Sequence, residues 1–221
     1  MNAFLIKKSH IEIDGDGHVI DALNKAGVFN ITGEYVAVYD VSIVNSKNTV
    51  SVDGGYAAFD NVSFISNADV ISVVDGTVEI VGCYFLNNSN VVDLKSAYDV
   101  FISDSTFINN TDIINAFYST LTVNNTSFKG NVDSYCVSLI DSNAEIYSSK
   151  FNEVNLINPI FVSIDSELYL SKNTLSKSQY IDNEGTITSK TRIVIPGEKY
   201  YDLLIYDDLT LNATVYDDNG N

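Results

Sequence analysis

The chain has 221 residues, with 12 Lys or Arg against 29 Asp or Glu, so its formal net charge is −17 and its pI is near 4.1. A negative field of this size repels nucleic acid, acidic polysaccharides and anionic lipid, which makes all three poor partners. No apolar run reaches the roughly 18 residues that a membrane-spanning segment needs, so we expect no membrane insertion in this segment.

The N-terminal segment, residues 1–36, reads as the first turns of a repeating structure. Short strands are predicted from Phe4 to Ile6 and from Ile11 to Ile13, before the turn Asp14-Gly15-Asp16-Gly17. An uncapped first repeat would expose a strand edge, so we expect a further segment upstream.

Residues 37–178 contain seven related segments whose anchors are separated by 21, 21, 22, 21, 23 and 24 residues. A second apolar column lies five residues before each anchor. A third, a pair spaced by two, follows an Asn-rich corner, as in Val92 and Leu94. The apolar runs have period two and are separated by turn residues, which indicates short strands. The anchors are Ile43, Phe64, Phe85, Phe107, Phe128, Phe151 and Leu175, and the second column is Val38, Phe59, Ile80, Ile102, Val123, Ile146 and Leu170.

Strand patterning with a period near 22 predicts a solenoid. The Leu-x-x-Leu-x-Leu framework of leucine-rich repeats does not occur, so the sequence predicts an all-β parallel β-helix of about seven or more rungs. Like positions should then stack about 4.8 Å apart. We expect a structural ladder of stacked rings and of Asn side chains joined amide to amide. Its members are Phe64, Phe85, Phe107, Phe128 and Phe151, with Asn67, Asn88, Asn110 and Asn131.

The repeat pattern weakens after Phe151, and a partial rung ends near Ser189. Beyond it, apolar residues alternate strictly from Leu209 to Val215, which predicts a half-buried antiparallel strand. We therefore divide the chain into a β-helix at 1–189 and a linker with the start of a truncated immunoglobulin-like sandwich at 190–221.

Two cysteines, Cys83 and Cys136, allow at most one disulfide. They belong to rungs about 10 Å apart along the axis, whereas a disulfide needs Cα atoms within about 7 Å. We interpret both as unpaired, buried residues.

The repeats contain few candidate catalytic residues. His18 follows Gly17, as in a catalytic Gly-His motif, but no Asp pair or Arg stands in the repeats to serve it, since the only Arg, Arg192, lies outside the rungs. Three aspartates, Asp75, Asp141 and Asp165, each lie ten residues before an anchor, where Gly54, Ala97 and Tyr118 stand in other rungs. Turn formation explains them better than a metal. We therefore predict no catalytic residue and no cofactor, and leave calcium binding as an alternative.

Two surface features remain. Tyr56, Tyr84, Tyr98 and Tyr118 could form a sugar-stacking face, although they hold no constant place in the repeat. Sequons for N-glycosylation, relevant if the chain is secreted, have their acceptors at Asn30, Asn61, Asn87, Asn109, Asn124, Asn125 and Asn212.

Three motifs together carry a family resemblance: the segment Ile11 to Ala22, the repeated Phe-x-Asn-Asn corner, and the segment Leu211 to Gly220. The chain resembles the large adhesin-like surface proteins of methanogenic archaea over nearly its whole length. The resemblance implies a right-handed, pectin-lyase-like parallel β-helix followed by immunoglobulin-like modules. It also implies an extracellular, cell-surface or wall-associated location, and it supplies no catalytic residue.

The sequence therefore favours a non-enzymatic adhesin-like fragment that binds a cell-surface or extracellular glycan or protein through the lateral face of the solenoid. Two alternatives stay open. One is a carbohydrate-active β-helix enzyme, a polysaccharide lyase or hydrolase, which would require three or more carboxylates and a Lys together. The other is a purely structural surface spacer.

Overall fold

The computed structural model describes residues 4–25, 27–131, 135–154, 156, 158–176, 179–189, 191–193 and 201–203. Within these ranges the chain is all β, and three parallel sheets surround one apolar core. Each of the first seven turns contributes one strand to sheet A, then one to sheet B and one to sheet C. This arrangement confirms the predicted parallel β-helix. The predicted strand from Leu209 to Val215 lies outside the described residues.

The strands are short, and their order within each sheet follows the turns of the coil. Sheet A contains β1 (Phe4–Ile6), β4 (Phe29–Ile31), β7 (Val50–Asp53), β10 (Ile71–Val74), β13 (Val92–Lys95), β16 (Ile114–Phe117), β19 (Val137–Ile140), β22 (Ile160–Val162) and β24 (Asp182–Asn183). Sheet B contains β2 (Ile11–Asp14), β5 (Val36–Tyr39), β8 (Tyr56–Asp60), β11 (Thr77–Val81), β14 (Val100–Ser103), β17 (Thr120–Asn124), β20 (Asn143–Tyr147), β23 (Glu167–Ser171) and β25 (Thr186–Ser189).

Sheet C is shorter than sheets A and B. Its last strand lies one turn before the last of the predicted repeats. It contains β3 (Val19–Asp21), β6 (Ser42–Val44), β9 (Ser63–Ile65), β12 (Tyr84–Leu86), β15 (Thr106–Ile108), β18 (Ser127–Lys129) and β21 (Lys150–Glu153). After the solenoid, β26 (Thr191–Ile193) and β27 (Tyr201–Leu203) form an antiparallel pair.

The core is built from residues that pair with their own counterparts in the next turn. Phe64 pairs with Phe85, and Phe85 pairs with Phe107. From Phe64 to Phe151 the rings are fully buried, with successive centroids 5.0, 4.4, 5.2 and 4.7 Å apart and interplanar angles of 11° or less. Stacking follows from the register, because the strand spacing of about 4.8 Å is close to the separation of offset-stacked rings.

An asparagine ladder lies at the corner where the chain passes from sheet C to sheet A. Asn88 shows the pattern: its Oδ1 accepts from the backbone N of Asn67 at 2.8 Å, and its Nδ2 donates to the backbone O of Phe64 at 2.9 Å. The expected amide-to-amide bonding differs from this, because each side chain mainly satisfies the backbone of the turn before it. A side-chain amide bond occurs between Asn88 and Asn110, at 3.1 Å. Asn67, Asn110 and Asn131 repeat the backbone contacts.

Hydroxyl ladders line the other two corners, and sequence reasoning missed them. Between sheets A and B, the backbone N of Ser119 donates to Ser142 Oγ at 3.0 Å, and Ser142 donates to the backbone O of Ile140 at 2.8 Å. Between sheets B and C, Ser105 accepts from the backbone N of Cys83 at 3.1 Å. At all three corners, side chains therefore provide hydrogen-bond partners for backbone groups that lie outside the sheet ladders. Buried polar groups require such partners.

Replacing Phe107 with Ala should destabilise the solenoid far more than replacing Leu175 with Ala. Phe107 is fully buried between two stacked rings, so its loss leaves a cavity that should cost about 3 to 5 kcal/mol. Leu175 lies near the end of the array, where the structure can relax into the space. Thermal or urea unfolding measures the difference, and equal losses would contradict the stacked arrangement.

Asn88→Ala should cost about 1 to 3 kcal/mol in the free energy of unfolding, because it removes the acceptor of the buried amide of Asn67 and a hydrogen bond to the carbonyl of Phe64. Asn115→Ala is the matched control. Asn115 faces outward from sheet A and is half-buried, so its loss should stay within about 0.5 kcal/mol. Urea denaturation followed by circular dichroism compares the two, and a loss at Asn115 equal to that at Asn88 would refute the ladder's role.

Candidate ligand-binding face

The three aspartates singled out from the sequence do not form a site. Asp75 and Asp141 are corner residues between sheets A and B, both with positive φ (50° and 48°). Three turns separate them, which corresponds to roughly 14 Å along the axis. Asp165 is an exposed turn residue. The backbone N of Asp75 donates to the backbone O of Lys95, and one turn later the backbone N of Ser96 donates to the backbone O of Phe117. Ser96 is therefore the residue that aligns with Asp75. The alignment of the repeats from the sequence placed Ala97 at the position of Asp75, and it was wrong by one residue.

His18 lies in an exposed turn, where its Nδ1 is 2.9 Å from the backbone O of Gly15. The side chain of Arg192 lies outside what the structure describes. Among the described residues, no group of three or more His, Cys, Asp or Glu side chains could hold a metal ion. The described part of the chain also contains no helix long and apolar enough to cross a membrane.

Both cysteines are free and buried. Burial raises the pKa of the Cys83 thiol from 9.0 to about 12, and it does the same for Cys136. Cys83 occupies a rung of the hydroxyl ladder, with its Sγ 3.3 Å from the backbone O of Val81, much as Ser105 donates to Ser103 at 2.7 Å. A buried, protonated thiol with a structural hydrogen bond is a poor nucleophile.

The predicted tyrosines point to different parts of the surface. Tyr56 faces outward from sheet B and Tyr84 from sheet C, while Tyr98 and Tyr118 are exposed at the corner between sheets A and B. They form no continuous face.

The outer surface of sheet B, which we call the sheet B face, does carry aromatic rings among carboxylates. Its central column runs through Phe101, Thr122, Glu145, Tyr169 and Thr188, each paired with the next across one strand spacing. The neighbouring column runs through Asp99, Thr120, Asn143, Glu167 and Thr186. Phe101 and Tyr169 are half-buried, and Asp99, Glu145 and Glu167 are exposed.

A shallow groove of about 630 Å³ follows these two columns. It lies along the rod rather than around it, so it crosses five strands from β14 to β25. Three carboxylates line it, and the described lining contains no Lys, Arg or His. The groove therefore offers flat apolar rings and hydrogen-bond acceptors, without a basic group.

A second aromatic cluster lies on the same sheet toward the N-terminus. The rings of His10, Tyr35 and Tyr56 follow one another with centroids 5.2 and 5.3 Å apart. Tyr56 donates to Glu79 Oε2 at 2.6 Å. Desolvation and this hydrogen bond raise the pKa of Tyr56 to about 12. Tyr35 is 57% exposed and holds a φ of 58°, which a bulky residue adopts only at a cost.

No protein-family model and no curated protein matches this chain.

The predicted glycosylation acceptors divide by exposure. Four are exposed at corners: Asn61, Asn87, Asn109 and Asn125. Asn30 and Asn124 are half-buried on strands, and Asn212 lies outside the described residues. The amide of Asn61 donates to Asp40, and that of Asn125 to Asp104, both at 2.6 Å. A glycan on either of these would compete with a hydrogen bond between turns.

The raised thiol pKa values predict that stability falls at alkaline pH. The folded state keeps both thiol protons between pH 9 and 12, an interval in which the unfolded chain releases them. The contribution of the two thiols to the free energy of unfolding should therefore be constant from neutral pH to about pH 8.5 and decrease above it, by up to about 1.4 kcal/mol per pH unit for each thiol. Urea titrations from neutral to alkaline pH measure this slope.

Cys83→Ser is the informative variant for that measurement. A serine hydroxyl can take the same place in the ladder but does not ionise, so the variant should be nearly as stable at pH 7 and lose less stability at high pH. An unchanged alkaline slope would show that the Cys83 thiol is not the source of the loss.

Proposed function

We propose that this solenoid is a non-enzymatic, adhesin-like surface module that binds glycan or protein ligands of other cells or surfaces. The observation that carries the proposal is the groove on the sheet B face, where Phe101 and Tyr169 lie among Asp99, Glu145 and Glu167. The proposal takes the chain to be extracellular and attached to a cell surface or wall.

The groove suits an extended, neutral polymer. Aromatic rings present flat apolar faces that can stack against the C–H faces of sugar rings, and carboxylates accept hydrogen bonds from hydroxyl groups. Register puts Phe101 and Tyr169 three strand spacings apart, roughly 14 Å along the axis. Two rings at that separation contact separate units of a chain. The net charge of −17 disfavours acidic polymers.

The motif resemblance described above supports the same function and gives it a finer form. In that form the solenoid belongs to the right-handed, pectin-lyase-like class, comes from a methanogenic archaeon and precedes immunoglobulin-like modules. Calcium belongs to the proposal only as an accessory ion, which the binding experiment below tests with chelator.

A carbohydrate-active enzyme is the second candidate, and one observation favours it. Glu145 and Glu167 lie on adjacent strands, offset by two residues because Glu167 pairs with Asn143. Strand geometry then separates their Cα atoms by roughly 8 Å, from which flexible Glu side chains can bring the two carboxyl groups to the separation of about 6.5 to 9.5 Å that inverting glycosidases use. The groove lacks the Lys that a lyase base would require, which favours binding over lysis.

The first experiment is a glycan-array and whole-cell binding screen of the 221-residue chain, with calcium and with chelator, alongside a reducing-end assay on neutral and acidic polysaccharides. Saturable binding without new reducing ends is the expected result. Released sugar would replace the adhesin proposal with the enzyme, and binding to no glycan or cell would leave the chain as a spacer.

Two substitutions connect binding to the groove. Phe101→Ala and Tyr169→Ala should each weaken ligand affinity about tenfold, since each removes one stacking ring. Phe117→Ala is the matched control, because Phe117 is a half-buried ring that faces outward from sheet A. Glu145→Gln should leave binding within about twofold for an adhesin, whereas it should abolish sugar release if the groove is catalytic.

A further inference from the structure

The outer surface of sheet C differs from the rest of this acidic chain. Strands β6, β9, β12 and β15 present eight outward side chains, and none of them is charged. In the same turns, sheet A presents Asp53 and Asp93 outward, and sheet B presents Asp60 and Glu79. The eight uncharged side chains are Ser42, Val44, Ser63, Ile65, Tyr84, Leu86, Thr106 and Ile108.

Half of these side chains form one aliphatic stripe, which consists of Val44, Ile65, Leu86 and Ile108. Consecutive members pair across adjacent strands, and all four are half-buried. All four members of the other outward column of the same strands carry a hydroxyl group. Strand propensity favours Val and Ile anywhere on a sheet, but it does not explain why they collect in one of two equivalent columns.

Opposite charges terminate the aliphatic stripe. The column continues to Asp21 beyond Val44 and to Lys129 beyond Ile108. Asp21 is exposed. Lys129 contacts Glu153 at 3.4 Å, but their side chains are 41% and 51% exposed, so this is a weak surface pair whose lysine can accept another partner.

We propose that the aliphatic stripe pairs with the same stripe of a second copy of this chain, with the two rods antiparallel. A two-fold axis between Ile65 and Leu86 places each of them opposite the other in the partner. The same axis places Val44 opposite Ile108. Such an interface is self-complementary, as a two-fold contact requires.

The end charges select the antiparallel direction. Under that two-fold axis Asp21 of one copy meets Lys129 of the other at both ends of the stripe. Parallel rods would instead bring Asp21 against Asp21 and Lys129 against Lys129, which is repulsive. Since the net charge of −17 opposes association everywhere else, the uncharged face is also where two copies approach at the lowest electrostatic cost.

The interface is small. Four turns span roughly 19 Å, so the contact falls well below the roughly 800 Å² per partner of a stable complex. Pairing of free chains is therefore weak, and it strengthens when many copies share one surface, because tethering raises their effective concentration. This inference uses sheet C alone and does not depend on the sheet B proposal.

Sedimentation equilibrium of the 221-residue chain tests self-association from about 10 µM to about 1 mM, the range expected for so small a contact, at about 0.15 M salt. We expect a reversible dimer. Leu86→Glu should weaken it at least about tenfold by placing carboxylates in the apolar contact. Ser72→Glu is the matched control, since Ser72 faces outward from sheet A in the same turn, and it should change the dissociation constant less than about threefold.

A charge exchange tests the direction of pairing. Asp21→Lys and Lys129→Asp should each weaken the dimer, and the double variant should restore it to within about twofold of the original. Circular dichroism confirms that each variant is folded, and a misfolded chain could not produce the restoration. A monomer at all concentrations, an equal effect of Ser72→Glu, or a double variant weaker than both single ones would overturn the proposal.

Discussion

In-register pairing of parallel strands is the constraint on which the rest of this structure depends. It brings each inward residue against its own counterpart about 4.8 Å away, so a core position is filled only by a side chain that packs well on itself. Flat rings do so, as the stack from Phe64 to Phe151 shows. Asparagine and serine do so because each carries both a donor and an acceptor, and a ladder of them can continue from turn to turn.

The same constraint applies to the outward residues, because equivalent positions of adjacent turns lie next to each other in a chain of net charge −17. Identical carboxylates in adjacent turns would repel each other, and the corner columns avoid this by alternation. Asp40 is followed by Asn61 in the next turn, and Asp104 is followed by Asn125, each Asn donating to the Asp at 2.6 Å. In the central column of sheet B, Glu79 and Glu145 are likewise separated by Phe101 and Thr122. Negative charge is therefore interleaved with neutral donors and rings.

Much of this fold was predictable because stacking makes the sequence periodic. The anchors and the two apolar columns sufficed to define the parallel β-helix. The hydroxyl ladders were missed because Cys83, Ser105 and Thr126 share a corner without sharing a residue type. The candidate site was harder still. Glu145 and Glu167 become neighbours only through the register of β20 and β23, and that register depends on where repeats of unequal length accommodate their extra residues, as the misplacement of Ala97 illustrates.

A solenoid also separates stability from function in a way that a compact domain does not. Each turn contacts only its neighbours, so the inward columns maintain the coil whatever the outward columns carry. The outward residues are then free to differ between sheets, and here they do: sheet B carries rings among carboxylates, and sheet C an uncharged aliphatic stripe. Because the two faces lie on different sides of one rod, contact at one leaves the other accessible. Weak contacts along a rigid rod add up when many copies act together, so neither of the proposed binding modes requires a deep pocket.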